Sequence, residues 1–317
     1  MREFIIQENE ANQRFDKYLK KLLVNASTGF LYKMLRKKNI TLDGKKATGK
    51  EMLQKGSRVH VFFSEETILK FMQNGKTLED EYVRLKNLSM KGLHVIYEDK
   101  DILVADKPAN MLSQKAKEQD VSANEYLLGY LIREEALTLK EFQTFRPSVC
   151  NRLDRNTTGL LLMGKSLSGS QMLSLALKER TIQKYYRAIV YGHVTTAEHL
   201  SGWLLKDERT NKVKILSEEK DGASYIETAY EPIACGDNVT LLEIHLITGK
   251  THQIRAHLSS ISCPIVGDMK YGDEAVNQKY HKQYQVTHQL LHAYRLKMPD
   301  DRTFIAPMPE VFRKIIH

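Results

Sequence analysis

Residues 151–162 read Asn151-Arg152-Leu153-Asp154-Arg155-Asn156-Thr157-Thr158-Gly159-Leu160-Leu161-Leu162, a polar turn that sets one carboxylate between two arginines and runs straight into an apolar strand. Flanking guanidiniums would keep such an acid an anion in one orientation, as a nucleophile or general base requires. An isolated Asp in this setting can equally cap a turn and pair with its neighbours, so its surroundings decide. Upstream, His94-Val95-Ile96-Tyr97 and Ile102-Leu103-Val104-Ala105 read as strands around the turn Glu98-Asp99-Lys100-Asp101. Asp106-Lys107-Pro108-Ala109-Asn110 then breaks the chain. Ser122 and Glu125 form a capping box, and Tyr126, Leu127, Tyr130 and Leu131 give the helix after it a buried stripe. Downstream, a helix carries Met172, Leu173, Leu175, Ala176 and Leu177, and strands cover Lys184 to Tyr191 and Val239 to Ile247. Strands and helices alternate irregularly with hairpin-like turns between them. The expected fold is α+β with a mixed, largely antiparallel sheet.

A second cluster runs Ile247-Thr248-Gly249-Lys250-Thr251-His252-Gln253-Ile254-Arg255-Ala256-His257-Leu258. Thr251 can cap a helix that buries Ile254, Leu258 and Ile261, leaving His252, Arg255 and Ser259 on a polar face. An arginine on a rigid helix suits a carboxylate or phosphate brought from elsewhere in the chain. Cys263 to Gly272 is an apolar strand leading into a glycine-bounded loop. Other motifs fail. Thr248-Gly249-Lys250-Thr251 mimics the end of a phosphate-binding loop, but its first glycine would fall at Ile244. Gly164-Lys165-Ser166-Leu167-Ser168 lacks the last glycine of a nucleophile elbow. His252 and His257 are five apart, off the spacing of a helical zinc pair. No dinucleotide fingerprint appears, so chemistry without cofactor or metal is expected.

The charge is unevenly placed. Of a net +9 over 317 residues, residues 1–63 hold 14 Lys and Arg against 6 acids. Phe15, Leu19, Leu22 and Leu23 recur at helical spacing. A second helix can start at the cap Ser27 and bury Leu31, Met34 and Leu35, with Lys33, Arg36 and Lys37 on its other side. Asn39 suits a left-handed helix terminus, Ile40 to Leu42 a strand, Asp43-Gly44 a two-residue hairpin turn, and Arg58 to Phe63 an alternating strand. Residues 64–91, polar and without a clean period, read as a linker to a domain over 92–317. At 42% hydrophobic and a mean hydropathy of -0.44, the chain is neither a disordered polymer nor a membrane protein. Acidic residues stand where a signal peptide carries its apolar segment, and three scattered cysteines imply no disulfide framework. A cytoplasmic protein is expected.

The segment Arg14-Phe15-Asp16-Lys17-Tyr18-Leu19, with Leu31-Tyr32-Lys33-Met34-Leu35-Arg36-Lys37-Lys38-Asn39-Ile40-Thr41-Leu42-Asp43-Gly44-Lys45-Lys46, resembles the S-four-like RNA-binding domain. The resemblance implies RNA contacts from Lys33, Arg36, Lys37, Lys38, Lys45 and Lys46. The larger part is similar to the RNA pseudouridine synthases of the ribosomal large-subunit type, the RluA family. This rests on the Asp154 and Arg255 clusters, the Tyr97 to Asn110 stretch, Lys184-x-Tyr186-x-Ala188 and Leu291-His292-Ala293-Tyr294-Arg295-Leu296. It implies isomerisation of uridine to pseudouridine in structured RNA, with ribosomal RNA the expected partner and neither DNA nor membrane. It further implies a catalytic trio of Asp154, Tyr186 and Arg255, with Arg152, Lys107, His252 and Gln253 around the substrate. A monomer is expected. Asn151 stands where the family usually has His, and Asn110 where it often has Gly. The alternatives are a non-catalytic RNA-binding or ribosome-assembly factor, a transfer-RNA-directed synthase, and, last, a glycoside hydrolase, which would need two facing carboxylates.

Overall fold

The structure, a computed structural model, describes residues 1–72, 75–207, 209–210 and 212–316. The N-terminal part runs β1 (Arg2–Ile5), a 3-10 turn (Glu8–Glu10), α1 (Phe15–Leu22), α2 (Thr28–Arg36), β2 (Ile40–Leu42), β3 (Lys45–Lys46) and β4 (Arg58–Val61). Its sheet has the order β1-β4-β2-β3. Phe15, Leu19, Leu22, Leu31 and Leu35 pack with Ile40, Val59 and Val61 into one core, as the helical and alternating spacings require. The Ser27 hydroxyl caps α2 by accepting from the Phe30 N–H at 3.3 Å. Asp43 and Gly44 both have positive φ, at 50° and 73°, as a tight β2–β3 hairpin demands. The left-handed residue that ends α2 is Lys38 rather than Asn39, with φ of 58°. The Asn39 N–H instead reaches back to the Met34 carbonyl and the Lys38 N–H to that of Leu35, a two-bond helix stop that places the turn one residue earlier.

The stretch read as a linker carries two helices, α3 (Glu65–Phe71) and α4 (Gly75–Lys86), while its residues 73 and 74 lie outside the described residues. α3 sends Ile68 into the N-terminal core, and α4 sends Leu78 and Leu85 into the larger one. So few buried positions leave no visible period. The two parts also touch directly. The buried Glu10 carboxylate accepts from the Thr144 hydroxyl, and the Gln171 side chain donates to the Asn12 carbonyl at 3.2 Å.

The larger part begins with β5 (His94–Glu98), β6 (Ile102–Lys107), α5 (Ala123–Arg133), α6 (Leu139–Thr144) and β7 (Ser148–Val149). It continues through β8 (Thr158–Gly164), α7 (Leu167–Lys178), β9 (Gln183–Tyr191), β10 (Glu198–Asp207), β11 (Lys212–Leu216), β12 (Ser224–Gly236) and β13 (Val239–Leu246). It closes with α8 (Gln253–Ser260), α9 (Glu274–Tyr284), β14 (Leu291–Lys297), β15 (Thr303–Ile305) and α10 (Glu310–Ile316). Among the described residues these strands form one 11-stranded sheet, β11-β10-β12-β13-β9-β14-β8-β6-β5, with β15 added to β14 and β7 to β8. β14 and β8 pair in parallel and the other neighbours antiparallel, the mixed arrangement expected. Both faces of β6 and β8 are covered. Leu103, Ala105, Leu161 and Met163 point to the core shared with α5 and Tyr186. Ile102, Val104, Leu160 and Leu162 point to Leu173 of α7 and Phe304. Burial on both faces is why β8 reads as an unbroken apolar run. Gly159, second in that strand, has φ of 106°, and a Cβ there would lie 2.2 Å from the Ala293 carbonyl oxygen. Only glycine lets β8 meet β14 directly after the Asp154 turn. No helix among the described residues is long and apolar enough to cross a membrane.

Candidate active site

The Asp154 turn is fastened mostly through its backbone. Ser113 Oγ donates to the Leu153 carbonyl and accepts from the Leu153 N–H, each at 2.9 Å. The Met111 N–H donates to the Arg155 carbonyl at 3.1 Å, just after Asn110 turns the chain with φ of 58°. Asn thus serves at this left-handed position where Gly would. Asn151 closes the turn from the other side, donating to the Leu160 carbonyl at 3.2 Å and accepting from the Leu162 N–H at 2.7 Å. That side-chain amide ties the start of the turn to the strand that follows it.

Lys107 is fully buried, and its Nζ donates to the carbonyls of Pro108 (2.8 Å), Met111 (2.9 Å) and Arg155 (3.0 Å). Burial pushes its pKa down to about 7, against the pull of Asp154 and Asp106. Three carbonyl acceptors favour the ammonium form, in which all three N–H groups are engaged and none is left for a ligand. Lys107 therefore stands as a clamp beneath the Asp154 turn, not as the substrate contact expected from sequence. Lys107→Met should leave the Pro108 and Met111 carbonyls without a donor, the Arg155 carbonyl keeping the Met111 N–H, and cost about 3 kcal/mol. A urea midpoint equal to that of the wild type would contradict the clamp.

Arg152 and Arg155 are both exposed, and among the described residues neither is tied to Asp154 by a hydrogen bond or ion pair. The guanidinium that meets Asp154 is that of Arg255, whose Nη1 donates to Asp154 Oδ2 at 2.8 Å. No hydrogen bond among the described residues engages Asp154 Oδ1, on a side chain still 25% exposed. Arg255 also donates from Nε and Nη2 to Asp268 at 2.7 and 2.8 Å. Burial works against its charge, but Asp268 and then Asp154 outweigh burial and raise its pKa. In Asp268, burial is outweighed by Arg255 and by the N–H groups of Lys270 and Tyr271, and its carboxyl pKa falls.

α8 carries Arg255 inward, toward the distant carboxylate that an arginine on a rigid helix suits. Gln253, Ile254, Arg255, Ala256, His257 and Leu258 are all buried, whereas Ile261 is only half-buried. The reason is a second cover: β11 and β12 lie against the helix, with Val213 and Ile226 packed on Ala256. The N-cap is His252, in the left-handed conformation with φ of 55°, and not Thr251. Gln253 is spent on structure. Its amide donates to the Glu227 carbonyl and Thr228 hydroxyl, and its carbonyl accepts from Thr248 and the Lys250 N–H. It has nothing left for a substrate. His252 Nε2 lies 3.9 Å from Asp154 Oδ2, and its Nδ1 is 3.0 Å from the Tyr271 hydroxyl, which also accepts from the Val213 N–H. Burial lowers the His252 pKa, so the ring is neutral at physiological pH.

Tyr186 sits in the middle of β9, pointing to the same face as Ile244 and Ala293, and is 7% exposed. Burial, then the negative charge of Asp154, raises its pKa. The phenol stays protonated and is available as a donor. Tyr185, next in the chain, faces the other way, into a cavity of about 330 Å³ bordered by His199, Tyr230, Glu243 and His245. That cavity is on the opposite side of the sheet from Tyr186. Asp154, Tyr186, Arg255 and His252 are thus brought together, with Arg152 exposed on the same turn. Lys33, Arg36, Lys37, Lys38, Lys45 and Lys46 stand apart on the N-terminal part, all exposed and with no ion pair among the described residues. Asp268, Tyr271 and Ser113 belong to the site and were not singled out from sequence. The glycine-bounded loop 267–272 was visible, but nothing local says that its acid faces Arg255. Among the described residues no group of three or more His, Cys, Asp or Glu is arranged to hold a metal.

Residues 101–260, about half of the chain and the part that holds Asp154, Tyr186 and Arg255, match the family described as RNA pseudouridylate synthase. The chain belongs to that family, and it is an enzyme that isomerises uridine to pseudouridine in RNA. It is 31% identical over 267 residues to the ribosomal large subunit pseudouridine synthase C of Rickettsia prowazekii (strain Madrid E), with 83% of each chain covered. It is 28% identical over 317 residues to the protein of that name from Vibrio vulnificus (strain CMCP6), covering 98% of this chain and 94% of the other. Among solved structures, human RNA pseudouridylate synthase domain containing 4 has the same fold. The TM-score is 0.58 at 22% identity, over 75% of this chain and 96% of that one.

Proposed function

We propose that this enzyme modifies uridines of large-subunit ribosomal RNA in the cytoplasm, with Asp154 as the group that works at the anomeric carbon. The observation that carries the assignment is the half-engaged carboxylate: Arg255 holds Oδ2 at 2.8 Å, no hydrogen bond among the described residues engages Oδ1, and the Asp154 charge is felt by the buried Tyr186. The reaction is an isomerisation in which no atom is gained or lost. The bond from N1 to C1′ breaks, the freed uracil turns, C5 bonds to C1′, and the C5 proton leaves as N1 gains one. Asp154 Oδ1 would act as nucleophile at C1′ or as base on the sugar. The Tyr186 ring offers the extruded base a flat surface, and its hydroxyl a proton at the base edge. Arg152, exposed on the same turn, suits the phosphate of the flipped nucleotide. Support for ribosomal RNA comes from the names of the bacterial relatives. The N-terminal part, with its S-four-like motif and six exposed cations, would supply the grip on the phosphate backbone.

The test is tritium release from RNA labelled at uridine C5, with purified protein. Release from large-subunit ribosomal RNA, matched by pseudouridine formed, is the expected result. Release from transfer RNA alone would overturn the substrate assignment.

A further inference from the structure

Two acids compete for Arg255, and they take different parts of it. The Nε/Nη2 edge, the pair of parallel donors that matches a carboxylate best, goes to Asp268 at 2.7 and 2.8 Å. Asp154 receives one N–H of Nη1, the nitrogen that Asp268 does not engage. An arginine committed to Asp154 alone would offer that paired edge and cover both carboxylate oxygens. We infer that Asp268 is a positioning residue for the reaction: it occupies the paired edge of Arg255, so that Asp154 is oriented through Oδ2 and kept open at Oδ1. This rests on the reading of Asp154 as the reactive group.

Asp268 is built for that task and for no contact with RNA. It is fully buried, and its Oδ1 also accepts from the N–H groups of Lys270 (2.9 Å) and Tyr271 (3.1 Å). Its own carbonyl accepts from the Gly272 N–H and the Asn277 amide at 2.9 and 3.1 Å. The Asn277 carbonyl in turn takes the Gly267 N–H at 2.7 Å. Gly267 has φ of 81°, and a Cβ there would stand 2.3 Å from the His288 carbonyl oxygen. The loop thus has one way to lie, and it holds the Asp268 carboxylate fixed against Arg255.

Asp268→Asn keeps an acceptor for the two backbone donors but loses the charge that holds the paired edge. We expect single-turnover conversion to fall about 10²-fold, the scale of a misplaced catalytic group, with RNA affinity within twofold of wild type. In an Arg255→Lys background, where no paired edge exists, adding Asp268→Asn should change the rate little further. A merely structural acid would lower both backgrounds by the same factor, and that result would overturn the inference. So would wild-type turnover in Asp268→Asn. Should Asp268→Asn not fold, the Arg255 Nε–H resonance decides, assigned by its loss in Arg255→Lys. It should stay in place and slow to exchange in Asp154→Asn, because Asp268 and not Asp154 holds it. Its loss there would contradict the inference. Full activity in Asp154→Asn would sink the reading of the reactive group instead, so the two failures are distinct.

Discussion

Asp154→Asn should lower turnover roughly 10⁴-fold or more, as loss of a nucleophile or base does when its neighbours stay in place, while RNA affinity stays within a few-fold of wild type. The substitution removes charge and basicity but not shape. The turn around residue 154 is held by Lys107, Ser113 and Asn151 acting mainly on backbone groups, so it should not move. Arg255 keeps its paired bonds to Asp268, so no buried charge is stranded. Conversion within a few-fold of wild type would remove Asp154 from the chemistry. Tyr186→Phe keeps the ring and loses only the hydroxyl, so its rate should suffer more than its binding.

The second large effect is electrostatic. Lys33, Arg36 and Lys37 on or beside α2, Lys38 just after it, and Lys45 and Lys46 on β3 are exposed without ion pairs among the described residues. If each meets a phosphate, it contributes about 0.7 to 0.9 to the slope of log affinity against log salt. Replacing all six with Gln should therefore flatten that slope by roughly 4 to 5 and weaken binding most at low salt. Their side chains pack on nothing that the core needs, so the melting temperature should barely change. Turnover by the Gln variant should survive at high RNA concentration, since Asp154, Tyr186 and Arg255 are untouched. An unchanged slope would mean that these cations merely solvate the surface and that the catalytic part holds RNA by itself.

What the sequence made legible follows from how local each signal is. Periodicity placed Phe15, Leu19 and Leu31 in a core, because a helix stripe is read from neighbours three and four residues away. Asp43-Gly44 announced its turn, since a two-residue hairpin needs positive φ at both positions. The two helices within 64–91 show no period because α3 and α4 bury few residues each, and those residues go to different cores. Lys107 and Gln253 read as substrate contacts because a polar residue in a functional motif looks free until its partners are known. Their partners are carbonyls and side chains up to 48 residues away. Asp268 was missed for the converse reason. Only the fold brings Val266-Gly267-Asp268 under α8, and no spacing in the chain encodes that approach. That Asp154 and Arg255, 101 residues apart, share one site is implied by the family resemblance, which sets both in one trio, and by no local pattern.

The most direct measurement is a map of pseudouridines in total RNA from cells with and without this gene, the latter complemented by wild type or Asp154→Asn. One or more positions in large-subunit ribosomal RNA should lose pseudouridine without the gene. Those positions should regain it with the wild-type protein and stay unmodified with Asp154→Asn. Pseudouridine returning in full with Asp154→Asn, or a map that the gene does not alter at all, would contradict it.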